Sequence, residues 1–324
     1  MRVWRVMRGL GGVLAFGRRH PWIGSFLAAA ALWLVTQAVA GQGGGALLVA
    51  ALAFSAFFVV VGIGQMFVIT LGPGNVDLSI PATINLGGAV AMAQMAQQDA
   101  RIALGVAAAL ACGVVVGSVN YGLIRVLGIP PIIATLSTSF VVQSCAIVYG
   151  RGLRVKPPTA FADFATGNWG FVPLVAWVAV GFAAVMTVVL TRTAYGQWVL
   201  ATGQNPRAAR LAGVPVEWTR FVTYALCGLC AALAGTLLAG FSGGSSLNMG
   251  EEYLLASIAV VVIGGTSIAG GFSNVPGIWG AALFLYLLVA MLNTLGAGAG
   301  VRLIMTGLII IGLVALAGPP RRGR

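Results

Sequence analysis

The chain has 324 residues, 59% hydrophobic and 7% charged, where a soluble domain carries roughly a quarter charged residues. That excludes a soluble globular fold and predicts a polytopic, all-α membrane protein. The net charge of +12 does not point to nucleic acid, because the basic residues sit between apolar runs and no basic surface interleaved with aromatics can be assembled from them.

Arg2, Arg5, Arg8, Arg18 and Arg19 precede an apolar run from Trp22 to Ala40, which predicts a cytoplasmic N-terminus and a first spanning helix. The run closes on Ala38-Val39-Ala40, which also reads as a signal-peptidase site; cleaved or retained, residue 41 lies outside. Further helices are expected at about 46–71, 78–97, 102–125, 132–150, 172–191, 221–241, 254–268, 276–294 and 301–317, making ten. Runs near twenty residues indicate helices, since barrel strands would be short and alternating. An even number returns Arg321, Arg322 and Arg324 to the cytoplasm. On this map thirteen basic residues face the inside, while Arg101, Arg151, Arg154, Lys156 and Arg302 face the outside, the expected asymmetry.

Two segments read as broken helices: Gly72-Pro73-Gly74 before Asn75-Val76-Asp77, and Gly264-Gly265-Thr266-Ser267 before Gly270-Gly271. Non-helical backbone at membrane depth survives only against protein or water. The breaks fall in the third and eighth helices, so two inverted five-helix halves are expected. The outer segment from Gly150 to Phe171 carries Pro157, Pro158, Gly167, Gly170 and the aromatic anchors Trp169 and Phe171. It predicts an ordered loop with a short helix near Ala160–Phe164, serving as a connector or as a face toward a delivering protein.

Chemistry is sparse. The single histidine, His20, lies on the N-terminal tail, the single lysine is Lys156, and no G-K-[ST] occurs, so the chain has no P-loop. The acids Asp77, Asp99, Asp163, Glu217, Glu251 and Glu252 form no catalytic pair, zinc set or triad. An enzyme and a metal site are therefore not expected. Cys112, Cys145, Cys227 and Cys230 all lie in apolar runs; Cys227 and Cys230 form a C-x-x-C that reads as helix packing in preference to redox chemistry. Gly113 and Gly117 form a G-x-x-x-G suited to close helix contact.

A carboxylate at membrane depth costs at least about 2.5 kcal/mol, so Asp77 should be paired, hydrated or interfacial. It reads as an N-cap for a helix starting near Leu78, with a solute-facing role as the alternative. Gln65, Asp77, Ser79, Asn85, Asn120, Gln143 and Asn293 are the candidates for a polar translocation path, with Gln94, Ser137 and Thr138 as further in-membrane polar groups. Each alone would also serve as an interhelical hydrogen bond. Glu251 and Glu252, after Ser242-Gly243-Gly244-Ser245-Ser246, either cap the helix starting at Tyr253 or meet arginines of a docked partner.

The 29 residues from Arg192 to Arg220 form the longest charged, helix-capable interruption. Asn205 is a good N-cap, Pro206 suits the first helical position, and Gly213 and Pro215 stop the helix. Arg207 and Arg210 share a face, while Ala208, Ala209 and Leu211 supply an apolar one. A solvated loop obeying the positive-inside rule is the plainer alternative.

Three ordered motifs carry a resemblance: G-Q-N-P-R-A-A-R-L-A-G-V from Gly203 to Val214; G-N-V-D-L-S from Gly74 to Ser79 with L-G-G-A-V-A from Leu86 to Ala91; and E-Y-L-L-A-S-I-A-V-V-V-I-G-G-T-S-I-A-G-G from Glu252 to Gly271. Over roughly residues 46–318 the chain resembles permease subunits of bacterial ABC importers of the ribose/monosaccharide family. The resemblance implies a single permease domain over 1–324: a cytoplasmic tail (1–21), helices one to six (22–191), a cytoplasmic coupling loop (192–220) and helices seven to ten (221–318). It implies that residues Asn205 to Leu211 dock on a separate ATPase subunit, which uses ATP and Mg while this chain binds no cofactor. It further implies a periplasmic solute-binding protein met at Glu251 and Glu252, a second permease subunit, identical or paralogous, and residence in the inner membrane. An ion-coupled secondary transporter also fits broken helices and inverted repeats, although Asp77 is nearly the only ionisable group it could use. A scaffold protein of the membrane is the remaining class.

Overall fold

The computed structural model describes residues 21–40, 44–151 and 155–317. The basic residues of both termini, His20 and Arg154 lie outside them, so the orientation expected for the termini does too. In lipid every backbone polar group must be satisfied within the segment, and the apolar runs accordingly coil. Among the described residues the α-helices are α1 (Pro21–Ala40), α2 (Gly44–Thr70), α3 (Ile80–Met95), α4 (Ile102–Leu127), α5 (Pro131–Gly150), α6 (Thr159–Thr166), α7 (Leu174–Arg192), α8 (Ala194–Gln204), α9 (Pro206–Leu211), α10 (Val216–Phe241), α11 (Tyr253–Ile263), α12 (Val275–Thr294) and α13 (Ala299–Ala317). Six of these, α2, α4, α5, α7, α10 and α12, are long and apolar enough to cross a membrane.

The ten apolar runs all become helices, with shifted ends. α10 starts at Val216, five residues ahead of expectation, because Pro215 supplies its start. α11 stops at Ile263, short of the expected 268, because Gly265 takes φ +89°. The 150–171 segment holds α6 as expected, then a small hairpin in which β1 (Asn168–Trp169) pairs with β2 (Val172–Pro173). Gly170 at φ +64° makes its turn and leaves Trp169 and Phe171 exposed.

α3 and α11 are short, 16 and 11 residues. At 1.5 Å per residue they reach about 24 and 16 Å, less than a hydrocarbon core of about 30 Å. Each is preceded by non-helical chain, residues 71–79 before α3 and 242–252 before α11, where Gly72, Gly74, Gly243 and Gly244 all take positive φ. The sequence places the second break at Gly264–Gly271; the structure interrupts the chain at both ends of α11.

α2, α10 and α12 run through the middle, and α4, α5 and α7 lie outward with apolar side chains such as Val115, Phe140 and Val185 exposed. The most extensive helix contact is between α4 and α10. Gly113 and Gly117 face the backbone at Gly228 and Tyr224 so tightly that a Cβ at either glycine would overlap a carbonyl oxygen. This is the use read from the G-x-x-x-G. Cys227 and Cys230 are buried against Gly64 as packing residues, and all four cysteines are free.

Candidate functional site

Asn205 leaves the helical region at φ −160°, and its Oδ1 accepts from the amides of Arg207 (3.0 Å) and Ala208 (3.1 Å). Pro206 occupies the first turn. Gly213, at φ +82°, ends α9, and the Val214 amide closes back on the Ala209 carbonyl. The apolar face expected of this helix divides: Ala209 is buried, whereas Ala208 and Leu211 are exposed, Leu211 at 91%. The two arginines divide as well. Arg207 is exposed without an ion pair, while Arg210 Nη2 donates to Glu217 Oε1 at 2.7 Å.

α9 is reached through α8, which the sequence did not reveal as a helix. Thr193 caps it by accepting from the Gly196 amide. Its Gly203 lies against the Thr70 carbonyl at the end of α2 and against Gly271, where a Cβ would overlap both. The Gly271 amide donates to that same Thr70 carbonyl (3.0 Å), and Gly270 touches Gly72. Both chain breaks read from the sequence therefore converge on one helix of the charged loop.

Four of the path candidates form a closed cluster. Asp77 is 1% exposed; its Oδ1 accepts from the Ser79 amide (2.9 Å) and hydroxyl (2.6 Å), and Asn120 Nδ2 reaches the carboxylate (3.3 and 3.4 Å) and Ser79 Oγ (2.8 Å). Gln65 Oε1 accepts the Asp77 amide at 3.2 Å. Asp77 thus folds the chain ahead of α3 and does not cap the helix: α3 starts at Ile80 behind Ser79, which makes no side-chain cap bond. Sequence reasoning missed two supports, Thr135 Oγ1, which accepts the Leu78 amide, and Tyr224, whose hydroxyl donates to Asn75 Oδ1.

Asn85 and Gln143 form a second group. Asn85 Nδ2 donates to Gln143 Oε1 (2.9 Å) and to the Leu247 carbonyl (2.6 Å), its Oδ1 accepts the Gly250 amide (2.8 Å), and Gln143 Nε2 also reaches the Leu247 carbonyl (3.0 Å). This pins the 242–252 segment along α3. Asn85 is ten residues from Met95, so Gly250 sits about 15 Å along α3 from that end. Asn293 belongs to neither group; it is exposed and accepts from Arg302 Nη1 at 2.8 Å. Glu251 and Glu252 follow Gly250 and are exposed, and Glu252, at the start of α11, makes no capping bond.

Among the described residues no three His, Cys, Asp or Glu side chains come together as a metal site. A family model described as "Branched-chain amino acid transport system / permease component" matches residues 47–314. The chain belongs to this family of ABC-importer permeases. It is 31% identical over 259 residues to the ribose import permease protein RbsC of Escherichia coli strain K12, covering 78% of this chain and 79% of that one. It is 32% identical over 258 residues to the L-arabinose transport system permease protein AraH of the same strain (78% and 77% covered). It is 28% identical over 305 residues to the autoinducer 2 import system permease protein LsrD of Yersinia enterocolitica (91% of each). No solved structure matches the chain. Permeases of this family are transporter subunits and not enzymes, and the hydrolysis of ATP resides in a separate subunit.

Proposed function

We propose that this permease carries a monosaccharide or a similar small polar solute across the bacterial inner membrane, driven by an ATPase subunit and supplied by a periplasmic binding protein. The observation that carries this reading is α9: a capped helix with Arg207 and Leu211 exposed, joined through Gly203 of α8 to both chain breaks. An exposed leucine beside an arginine suits a partner's groove better than water. The family description names branched-chain amino acids, while the relatives are named for ribose, L-arabinose and autoinducer 2. The sugars in two of those names favour the polyhydroxylated class.

On this reading ten helices form two inverted halves, the 72–79 and 242–252 segments are their re-entrant counterparts, and two permease subunits, identical or paralogous, enclose one path. Asn205 to Leu211 meet the ATPase. Glu251 and Glu252 meet a basic side chain of the binding protein, which has to reach into the mouth of the 242–252 segment because Gly250 is held well along α3. The N- and C-termini are cytoplasmic.

Reconstitution into liposomes with the ATPase and binding-protein subunits tests the reading. Uptake of ribose or L-arabinose is expected only with ATP inside the vesicle at the α9 face. Uptake driven by an ion gradient through the permease alone would sink it. A thermal-shift panel of sugars on the binding protein identifies the solute.

A further inference from the structure

Among the described residues Glu217, the second residue of α10, is the acid that holds ion pairs, and it holds two. Its Oε1 accepts from Arg210 of α9. Its Oε2 is ion-paired with Arg125 Nε near the end of α4 (3.2 Å) and accepts from the Tyr121 hydroxyl (2.5 Å). Tyr121 adjoins Asn120, which holds Asp77 and Ser79 in the turn before α3. Seven residues along α10 from Glu217, Tyr224 donates to Asn75 of the same turn. One carboxylate thus joins α9 to the two helices that grip the 72–79 segment.

We propose that Glu217 is the positioning residue through which movement of α9 reaches that segment, with Arg210 as its handle; this rests on the reading of α9 as the ATPase-docking helix. Arg207 and Leu211 then face the partner, and Arg210 faces inward. The three donors around Glu217 come from α9 and α4, so α9 cannot tilt away from α10 without lengthening at least one charge-assisted bond. α4 is a rigid body from Asn120 to Arg125, and displacement at its end is felt at Asp77. A purely structural role would be small, because Arg125, Arg210 and Glu217 are all more than a third exposed and such pairs are screened by water.

The test uses the whole importer in liposomes. Glu217→Gln keeps the shape and removes the charge. ATP hydrolysis should persist, while solute imported per ATP falls about tenfold or more, in the range of ordinary coupling between sites. Arg210→Gln should fall likewise, and the double variant no further than either single one. Uptake unchanged in Glu217→Gln, strictly multiplicative losses, or uptake, hydrolysis and melting temperature falling together would each overturn the proposal. A photo-crosslinking side chain at Leu211 separates this from the parent reading. No crosslink to the ATPase subunit defeats the docking assignment, whereas a crosslink with normal uptake in Glu217→Gln defeats the coupling role alone.

Discussion

Asp77 offers a comparison in which the burial cost of the charge cancels. Its carboxylate is 1% exposed and accepts from the Ser79 amide, the Ser79 hydroxyl and Asn120 Nδ2. Asp77→Ala and Asp77→Asn both remove the buried charge, so both recover its desolvation cost of at least about 2.5 kcal/mol. They differ in the donors left behind. Alanine orphans the Ser79 amide and hydroxyl, at about 1–3 kcal/mol each, while Asn120 Nδ2 keeps Ser79 Oγ. Asparagine retains one carbonyl oxygen for Ser79, and its amide can donate to Asn120 Oδ1, which is buried without a hydrogen-bond partner. The alanine variant should therefore be less stable than the asparagine variant by about 2 kcal/mol. At roughly 2 °C per kcal/mol for a chain of this size, that is a melting difference of about 4 °C. Both variants would be melted in the same detergent at one scan rate, followed by tryptophan fluorescence. Equal melting temperatures, or a lower one for asparagine, would refute the hydrogen-bond account.

Other outcomes follow from the same geometry. Arg207→Glu, on the exposed side of α9, should leave melting within about 0.5 kcal/mol of the parent while weakening co-purification of the ATPase subunit. Gly203→Val should overpack the junction with Thr70 and Gly271 at about 1–3 kcal/mol and abolish uptake with the protein still inserted, measured by melting and vesicle transport. Asn85→Leu removes the partner of the Gly250 amide and one of the two donors to the Leu247 carbonyl, so a cysteine placed at Ser246 should be labelled faster by a water-soluble maleimide than in the parent.

Features that depend on residues within one turn of each other were legible in the sequence. The Asn205-Pro206 start of α9, the Gly213 stop, α6 and the Gly113/Gly117 contact all follow from local backbone rules. What could not be read is pairing across the chain. Glu217 looks like a boundary acid until Tyr121, 96 positions away, is brought beside it. The Ser242–Ser246 run looks like a surface loop until Asn85, 165 positions from Gly250, draws it along α3 with Gln143. Polar residues in an apolar helix announce that they have a partner and not which one. Hence Gln65, Asp77, Ser79 and Asn120 separate from Asn85 and Gln143, and Asn293 stands alone with Arg302. α8 was hidden because Gly196 and Gly203 lower its helix propensity; close backbone approach at Gly203 is what they serve.

The two non-helical segments are fastened by different chemistry, and the proposed transport cycle gives the difference a use. The 72–79 turn is held by a buried carboxylate and lies one step from Glu217, so its bonds are charge-assisted, and its neighbours include Gly203 of α8. The 242–252 segment is held by neutral amides, each worth about 1 kcal/mol net, with no ionic link to α9. A push at α9 therefore acts on the first segment through Glu217 and reaches the second along α10, which runs straight into it, and through a helix that touches both. α3 is that helix: the first segment leads into its start at Ile80, and the second is tied to its Asn85 little more than a turn later. A shift of α3 large enough to stretch the Asp77 cluster also stretches the Asn85 bonds. Because the amide fastening is the weaker, it yields first. In the proposed importer a helix of 16 residues thereby ties the two segments together.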